Sequence, residues 1–356
     1  MTLLNSARYS LAPQMQTYDK FGHDWKPYLM FMQKANFKSN IINTDNFGLR
    51  YSSIHKGDKS KFTLVEKSIQ IQEEFAIIGG SAAFGVGSTS DHSTISSNLS
   101  KMKNIQVHNL GVRAFSGYQS LILFQMLKTH FSKLKYLIIM TSTNDTFLPH
   151  YVDFKGEYYP PFYYQDFFYK NMNQPQNSIL KKMLYNFLPN KIRKNIDWSW
   201  DNKWKIVEKI LNSKKNQEVS NIKNEIFNYK NSIKQVMETW KMFSSSLDFK
   251  IIYTIDPNAN WCNHEKSNEE NKIFDEIKKI QNKKIQTALR SLTKEKYLEH
   301  KAFLKNECIK NGFEFLDSNE TLSSRELDKK WIFVDSSHCT DLGYKVIADN
   351  LNKLIK

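Results

Sequence analysis

Cysteine is scarce in this sequence, with three among 356 residues: Cys262, Cys308 and Cys339. An odd number cannot all pair with one another, and the three are scattered along the chain, so we expect reduced thiols. This usage argues against a disulfide-stabilised secreted scaffold. It is typical of a cytoplasmic protein, which is the location we predict.

Long apolar runs are also lacking. No window approaches the roughly eighteen consecutive apolar residues of a membrane-spanning helix. The segment Met1 to Ser10 has no apolar core like that of a signal peptide, although a signal already removed would leave the same sequence. Because hydrophobic residues make up 40% of the chain and charged residues 24%, we predict a globular protein.

Several short motifs with well-understood chemistry are missing. Gly85-Val-Gly87 lacks the third glycine of a dinucleotide-binding loop, and no lysine follows it to complete a phosphate-binding loop. Ala83 stands where the nucleophile elbow of an α/β-hydrolase has its last glycine. Cys262 and His264 offer two ligands, too few for a metal site. We therefore predict neither a cofactor nor a metal.

Positive charge exceeds negative charge: 51 Lys and Arg against 36 Asp and Glu give a net charge of +15. The lysines are spread over most of the chain, so nucleic-acid binding is not predicted. The excess favours association with an anionic substrate or a membrane surface instead. The sequence leaves the oligomeric state open.

An alternation of short apolar runs with amphipathic segments begins at residue 75. The runs end in glycine or polar residues, as buried strands do. This alternation predicts an α/β fold, with a mainly parallel five-stranded sheet covered by helices. The predicted strands are 75–79, 105–109, 136–140, 249–255 and 313–316, and the predicted helices are 92–101, 117–131, 221–245, 268–310 and 343–355.

The rest of the chain is less regular. We interpret residues 1–70 as an N-terminal extension that packs on the main domain, 71–356, with 43–51 turning into a short strand. A largely helical insertion interrupts the main domain at about 147–220, and its start carries eleven aromatic residues between Phe147 and Tyr169. These aromatic residues form either the core of a small subdomain or a lid whose rings stack on sugars or line an acyl pocket.

Reactive side chains are found at the end of the first predicted strand and near the end of the chain. Ser81 comes directly after Gly79-Gly80, and Asp335 and His338 lie just before the last predicted helix. A serine nucleophile needs a base within hydrogen-bond reach and a third group that orients the base. Ser81, His338 and Asp335 are of the types that these three roles require.

The second and third predicted strands end in Gly111 and Asn144. An oxyanion that forms on a substrate needs preorganised donors, such as a backbone N–H and a side-chain amide. The N–H of Gly111 and the side chain of Asn144 are candidates. Because the carboxyl ends of parallel strands meet at one edge, we expect both residues near Ser81.

The order Gly80-Ser81, Asn109-Leu-Gly111, Asn144-Asp145 and Asp335-x-x-His338 resembles that of the SGNH (GDSL-type) hydrolase superfamily, which includes esterases and acyltransferases. The resemblance covers about 75–146 and 312–356. It implies a flavodoxin-like three-layer α/β/α sandwich. It also implies that Ser81 is the nucleophile, His338 the base and Asp335 the orienting acid. The oxyanion hole would be formed by the N–H groups of Ser81 and Gly111 with the amide of Asn144.

The sequence departs from the family pattern at two places. The usual Gly-Asp-Ser is Gly79-Gly80-Ser81 here, so the acidic residue before the nucleophile is missing. The usual Gly-x-Asn-Asp is Ser142-Thr143-Asn144-Asp145. Neither change removes a catalytic group, but each is expected to alter the geometry of its loop.

Each motif also has a plainer interpretation when it is taken alone. Ser81 could belong to a loop that merely joins a strand to a helix, and Asp335 with Ser336 could cap the last helix. Asp145 is expected to make structural hydrogen bonds. Cys339, beside His338, is a conceivable nucleophile, but no pattern of a cysteine hydrolase surrounds it.

We therefore predict a serine-dependent acyl-ester hydrolase or O-acyltransferase that acts on an acylated, and in the first place acetylated, carbohydrate. The reaction would pass through an acyl-enzyme on Ser81. The alternatives are a lipid esterase or thioesterase and an inactive module that binds glycans through the insertion. The sequence does not decide the length of the acyl group or the identity of the acceptor. It also does not decide whether the acyl group passes to water or to another hydroxyl.

The insertion leads to the first testable prediction. It starts directly after Asn144, so we expect it to form one wall of the substrate pocket and to select the acyl acceptor. Replacing 147–220 by a short linker should change the preference among acyl acceptors while turnover of a small chromogenic ester survives. Unchanged acceptor preference in a folded deletion variant would contradict the hypothesis.

Overall fold

The computed structural model describes residues 6–55, 61–66, 73–152, 160–172, 229–280, 285, 288–289 and 292–356. Contacts between Cα atoms divide the chain into two compact units. One comprises Met1–Tyr163 and Phe227–Lys356, and the other comprises Tyr164–Ile226. In the second unit, the helix Gln165–Met172 is described.

Residues 6–55 and 61–66 precede the main sheet and form short elements. The carboxylate of Asp45 accepts N–H bonds from Phe47, Gly48 and Leu49 at 2.8–2.9 Å, and this turn leads into a short strand, as predicted for 43–51. The elements are the helices α1 (Ser6–Leu11) and α2 (Gln14–Lys20), and the antiparallel strand pairs β1 (His23–Lys26) with β2 (Met30–Gln33) and β3 (Ser52–Ser53) with β4 (Lys61–Phe62).

The main sheet has five parallel strands in the order β6-β5-β7-β8-β9. The strands are β5 (Glu74–Gly79), β6 (Gln106–Gly111), β7 (Leu134–Met140), β8 (Lys250–Ile255) and β9 (Glu314–Asp317). Every residue of β5 and β6 is buried, as expected for strands covered on both faces. Numbered within the sheet, the order is 2-1-3-4-5, which is the flavodoxin-like doubly wound arrangement. The predicted fold class is confirmed.

Several helices begin at side chains that accept a backbone N–H. Thr94, Thr293 and Thr340 each cap a helix in this way, and Ser116 and Gln119 form a reciprocal capping box. None of the helices in the described ranges is long and apolar enough to cross a membrane. The helices are α3 (Ser81–Phe84), α4 (Ile95–Lys103), α5 (Gly117–Leu127), α6 (Ser142–Tyr151), α7 (Gln165–Met172), α8 (Tyr229–Leu247), α9 (Asn268–Ile280), α10 (Lys294–Asn311), α11 (Ser318–Thr321) and α12 (Asp341–Leu354).

The sheet is the middle layer of the first unit. On one face, Ile77 and Ile138 share a buried cluster with Leu99 of α4 and Ile347 of α12. On the other side, Phe124 of α5 contacts Trp240 of α8, with ring centroids 5.1 Å apart, and Trp240 is completely buried. Burial of such side chains is worth about 1.5–3 kcal/mol each. Hydrophobic burial therefore holds both helix layers on the sheet.

The predicted elements differ from the structure in two places. The helical region predicted at 268–310 is interrupted in the structure, because Thr293 caps the start of a new helix, α10. A helix, α6, begins at Ser142, where a loop was predicted after the third strand. Most of the predicted insertion at 147–220, and residues 221–228 of a predicted helix, lie outside the described residues.

A fully buried arginine links residues 6–55 to the main sheet unit. Arg50 donates to the carboxylate of Asp91 at 2.9 Å and to the carbonyls of Phe84 and Gly85 at 3.1 and 2.9 Å. The hydroxyl of Tyr18 also donates to the carbonyl of Gly85, at 2.8 Å. Because an unpaired buried charge is costly, removal of either ionic partner should destabilise the fold strongly. These contacts fix the segment that directly follows α3.

Two carboxyl groups with little exposure to solvent, those of Asp145 on α6 and Asp256 just after β8, lie beyond the ends of neighbouring strands. The Asp145 carboxylate accepts the N–H of Gly117 at 2.8 Å, and that of Asp256 accepts the N–H of Thr143 at 3.1 Å. The pKa of each group is raised to about 7, mainly by burial, and the charge of Asp145 contributes to the rise at Asp256. The folded protein therefore holds protons on these groups at pH values where the unfolded chain has released them.

This difference predicts how stability depends on pH. The stabilisation is fully present below pH 4 and is lost as the pH rises through about 7, at a cost on the order of a few kcal/mol. Urea unfolding between pH 4 and 8 should show the decline, and Asp145→Asn and Asp256→Asn should reduce it. The exposed Asp275→Asn is the matched control. A wild-type decline in both buried variants would contradict the prediction.

Candidate active site

Ser81 occupies the point where the sheet changes its direction of winding. It follows β5, which lies between β6 and β7, and ligands bind at such switch points in doubly wound sheets. The turn between β5 and α3 requires glycine at position 79, which has a φ of +149°. A Cβ atom there would lie 1.8 Å from the carbonyl oxygen of Met140 on β7. The two strand ends are therefore in direct backbone contact.

A chain of two hydrogen bonds connects Ser81 with Asp335. The Ser81 Oγ lies 2.7 Å from His338 Nε2, and His338 Nδ1 lies 2.8 Å from Asp335 Oδ2. A carboxylate can only accept, so Nδ1 carries the proton and Nε2 presents its lone pair to the serine hydroxyl. The structure thus brings together the three residues that were predicted as nucleophile, base and orienting acid.

The Asp335 carboxylate is partly buried, with 14% of its side chain exposed. Burial would raise its pKa, but the neighbouring His338 and, after it, Arg8 hold the pKa below its usual range. Oδ1 also accepts the N–H groups of Ser337 and His338 at 3.0 and 2.9 Å. One carboxylate therefore shapes the loop and orients the imidazole.

A second carboxylate, that of Glu270, stabilises the loop that carries Asp335 and His338. Glu270 of α9 accepts the N–H groups of Ile332 and Phe333 at 3.1 and 2.9 Å, and it contacts His264 Nε2 at 3.2 Å. Glu270 is completely buried. These bonds connect α9 to the strand-like segment that enters the loop.

The exit of the loop is also fixed. The N–H of Val334 donates to the carbonyl of His338 at 2.9 Å, and the N–H of Thr340 donates to the carbonyl of Ile332 at 2.8 Å. The side chain of Thr340 caps α12. The plainer interpretation, that Asp335 and Ser336 cap the last helix, is therefore wrong.

The amide of Asn144 lies beside the residue that precedes Ser81. Its Nδ2 donates to the carbonyl of Phe115 at 2.8 Å, which fixes the amide and leaves its second N–H for another acceptor. A Cβ atom on Gly80 would lie 2.5 Å from this Nδ2. The acidic residue that GDSL-type proteins carry here would therefore collide with the amide. Glycine at position 80 and the placement of Asn144 depend on each other.

Gly111 is closely packed against α3, and its backbone N–H is already hydrogen-bonded. Its N–H donates to Oδ1 of Asn109 at 3.0 Å. A Cβ atom on it would lie 2.1 Å from the backbone nitrogen of Phe84, so only glycine allows β6 to approach α3 this closely. Because its N–H is already bonded, the predicted role of Gly111 as an oxyanion donor is not supported by this geometry.

Ala114 is a backbone donor that sequence reasoning missed. It has a φ of +64° and lies in a turn closed by the N–H of Phe115 and the carbonyl of Val112, at 3.2 Å. Among the described residues, no acceptor is bonded to the N–H of Ala114. The next carbonyl along the chain, that of Phe115, holds the amide of Asn144. An alanine in the left-handed region carries no signal in the sequence, since glycine is the usual residue there.

Arg8 was missed as well. Its guanidinium lies 3.4 Å from Asp335 Oδ2 and 2.5 Å from the carboxylate of Asp19, and its side chain is 11% exposed. Residues 1–70 show only weak periodicity in the sequence, which gave no reason to connect them with His338. The contact spans 327 positions, a separation that no local pattern can reveal.

Cys339 is unsuited to act as a nucleophile. It is completely buried, and burial raises the pKa of its thiol well above the usual value. In the described part of the chain, no three His, Cys, Asp or Glu side chains come together as a metal site. All three cysteines are free thiols.

No family model matches the sequence, and no curated protein is similar to it. The structure is similar to a carbohydrate acetylesterase from Sinorhizobium meliloti, with 10% identity, 80% of this chain and 98% of the other covered and a TM-score of 0.42. It is also similar to an extracellular lipase from Streptomyces rimosus, with 13% identity, coverages of 79% and 99% and a TM-score of 0.41. A member of the lipolytic G-D-S-L family from Veillonella parvula gives 9% identity, coverages of 80% and 97% and a TM-score of 0.40.

The sheet order 2-1-3-4-5 and the three layers are those that the family resemblance implied. Ser81 and Asn144 follow adjacent strands, β5 and β7, and the Asp335-x-x-His338 loop meets Ser81 there. The chain therefore has the fold implied by its resemblance to the SGNH (GDSL-type) hydrolase superfamily.

Proposed function

We propose that this protein is a serine-dependent acyl-ester hydrolase or O-acyltransferase that works through an acyl-enzyme on Ser81. The observation that carries the proposal is the hydrogen-bonded chain from Asp335 through His338 to Ser81, at 2.8 and 2.7 Å. A serine hydroxyl next to a neutral imidazole, which a carboxylate orients, is the arrangement needed for nucleophilic catalysis on an ester.

The proposed reaction has two halves. His338 Nε2 takes the proton of Ser81 as Oγ attacks the ester carbonyl, and the tetrahedral intermediate collapses by breaking the bond to the alcohol oxygen. The imidazolium gives its proton to the departing alcohol. Water or another hydroxyl then loses a proton to His338, attacks the acyl-serine and restores Ser81. Hydrolysis and transfer differ only in that second nucleophile.

The oxyanion that forms in each half needs N–H donors. We assign this role to the Asn144 amide and the backbone N–H groups of Ser81 and Ala114, in place of Gly111. Asn144 keeps one N–H for a new acceptor after bonding to Phe115, and Ser81 heads α3, where an N–H has no partner within the helix. Because the Asn144 amide is already fixed, it needs little reorganisation as charge develops.

For the substrate we propose an acylated carbohydrate, in the first place an acetylated one. The family resemblance supports this class, since such enzymes act on acyl groups of carbohydrates or lipids. The aromatic residues after Phe147 and the excess of positive charge support a sugar, with or without acidic groups. Long-chain esters and thioesters in the substrate panel test the lipid alternative, and glycan binding without turnover would indicate an inactive module.

Removal of the nucleophile tests the core of this proposal. Ser81→Ala and His338→Ala should each lower turnover of a chromogenic acetyl ester by several orders of magnitude, because the three groups act as a unit. Ser246→Ala, at an exposed serine of α8, is the matched control and should retain wild-type turnover.

A serine-directed fluorophosphonate followed by peptide mass spectrometry checks the assignment independently. The label is expected on Ser81 and should be absent from Ser81→Ala. Labelling of a different residue, or wild-type turnover in a folded Ser81→Ala variant, would reject the proposed function.

The donor assignment gives a separate prediction. Asn144→Ala should lower kcat about a hundredfold or more, roughly 3 kcal/mol, with little change in KM, because the donor acts on charge that develops in the transition state. Asn306→Ala, at an exposed position of α10, is the control and should have no effect on kcat. Gly111→Ala should instead lower the Tm, since its new methyl group meets the backbone of Phe84. An Asn144→Ala effect confined to KM would show that the amide only positions substrate.

A further inference from the structure

We propose that Arg8, on the first helix of the chain, is a positioning residue for the Asp335–His338 pair and sets the pH range in which His338 works as a base. This inference rests on the proposed function of the pair. The observation that carries it is the ion pair between the Arg8 guanidinium and Asp335 Oδ2 at 3.4 Å. Oδ2 is the same oxygen that accepts the Nδ1–H of His338.

Both the backbone and the side chain of Arg8 are held by hydrogen bonds or ion pairs. Its backbone N–H donates to the carboxylate of Glu276 on α9 at 3.0 Å, and its guanidinium is also paired with Asp19 of α2. With 11% of its side chain exposed, Arg8 has little freedom to turn away into solvent. Helix α1 is thereby fixed against α9, the helix that also supports the His338 loop through Glu270.

Electrostatics gives the direction of the effect. During catalysis His338 becomes an imidazolium, whose charge is stabilised by the Asp335 carboxylate. Arg8 holds a permanent positive charge beside that carboxylate. The carboxylate therefore stabilises the imidazolium less, and Arg8 itself repels the imidazolium. Removal of the Arg8 charge should therefore strengthen the attraction between the Asp335 carboxylate and the imidazolium.

The other titratable groups around Asp335 and His338 do not supply a positive charge like that of Arg8. Cys339 and Tyr344 are buried, and burial raises the pKa of each well above its usual value, so both are neutral. Glu270 is bonded to backbone N–H groups and to His264, and Asp19, with Tyr9 bonded to it, lies on the far side of Arg8. Among the ion pairs of the described residues, Arg8 is the arginine or lysine that contacts Asp335.

The test compares the full-length protein with Arg8→Gln, Arg8→Lys and Lys20→Met. In Arg8→Gln, the acidic limb of kcat/KM should move to higher pH by roughly half a unit to one unit, as expected for a unit charge at this range in a partly buried site. Arg8→Lys keeps the positive charge, so its pH profile should stay close to that of the wild-type protein. Lys20→Met removes a charge from the exposed end of α2 and should leave the profile unchanged.

A second readout does not depend on turnover. The ring nitrogens of His338, assigned in 15N-histidine spectra by comparison with His338→Gln, should titrate at higher pH in Arg8→Gln than in the wild-type protein. If the protein proves not to be an esterase, this shift still tests Arg8, so failure of the two proposals can be told apart.

Wild-type pH profiles and ring titration in folded Arg8→Gln would overturn the inference. A uniform loss of kcat with no movement along the pH axis would also overturn it, because a purely structural role predicts that result. If Arg8→Gln does not fold, Arg8→Met, which keeps the bulk of the side chain, replaces it. Failure of both neutral variants to fold, while Arg8→Lys folds, would assign Arg8 to stability and reject the proposed role.

Discussion

The close approach of two strand ends governs the geometry of the whole site. At the end of β5, Gly79 touches the backbone of Met140 on β7, and Gly80 touches the amide of Asn144 just beyond it. Neither position leaves room for a Cβ atom. The backbone contact between Gly79 and Met140 therefore sets the distance between the two strand ends that Ser81 and Asn144 follow.

Much of the fold could be predicted because its signals are local. Residues 75–78 of β5 and 136–140 of β7 are unbroken apolar runs followed by glycine or polar residues, and strands covered by helices on both faces require such runs. The serine, asparagine and Asp-x-x-His motifs lie at the ends of elements, where parallel topology collects them. The chemistry of these side chains then limits the roles that they can take.

The features that sequence reasoning did not foresee share a physical origin in contacts that sequence spacing does not encode. Gly111 looked like an open backbone donor, but its N–H is satisfied by Asn109, two residues away, and its missing side chain serves packing against α3. Ala114 has a positive φ, which its residue type does not predict. Arg8 and Glu270 reach the His338 loop from helices distant in the chain. Side-chain placement across such separations follows from the packed structure alone.

The bond between Ser81 and His338 joins residues 257 positions apart. During synthesis at about 5–20 residues per second, the serine would precede its base by roughly 10–50 seconds. Ser81 is therefore synthesised well before the histidine to which it is bonded in the folded protein. Long-range closure of this kind also makes folding slow, because the loop entropy is lost before the contact forms. The hydrogen bond between Ser81 and His338 is thus completed only when the His338 loop folds onto α9.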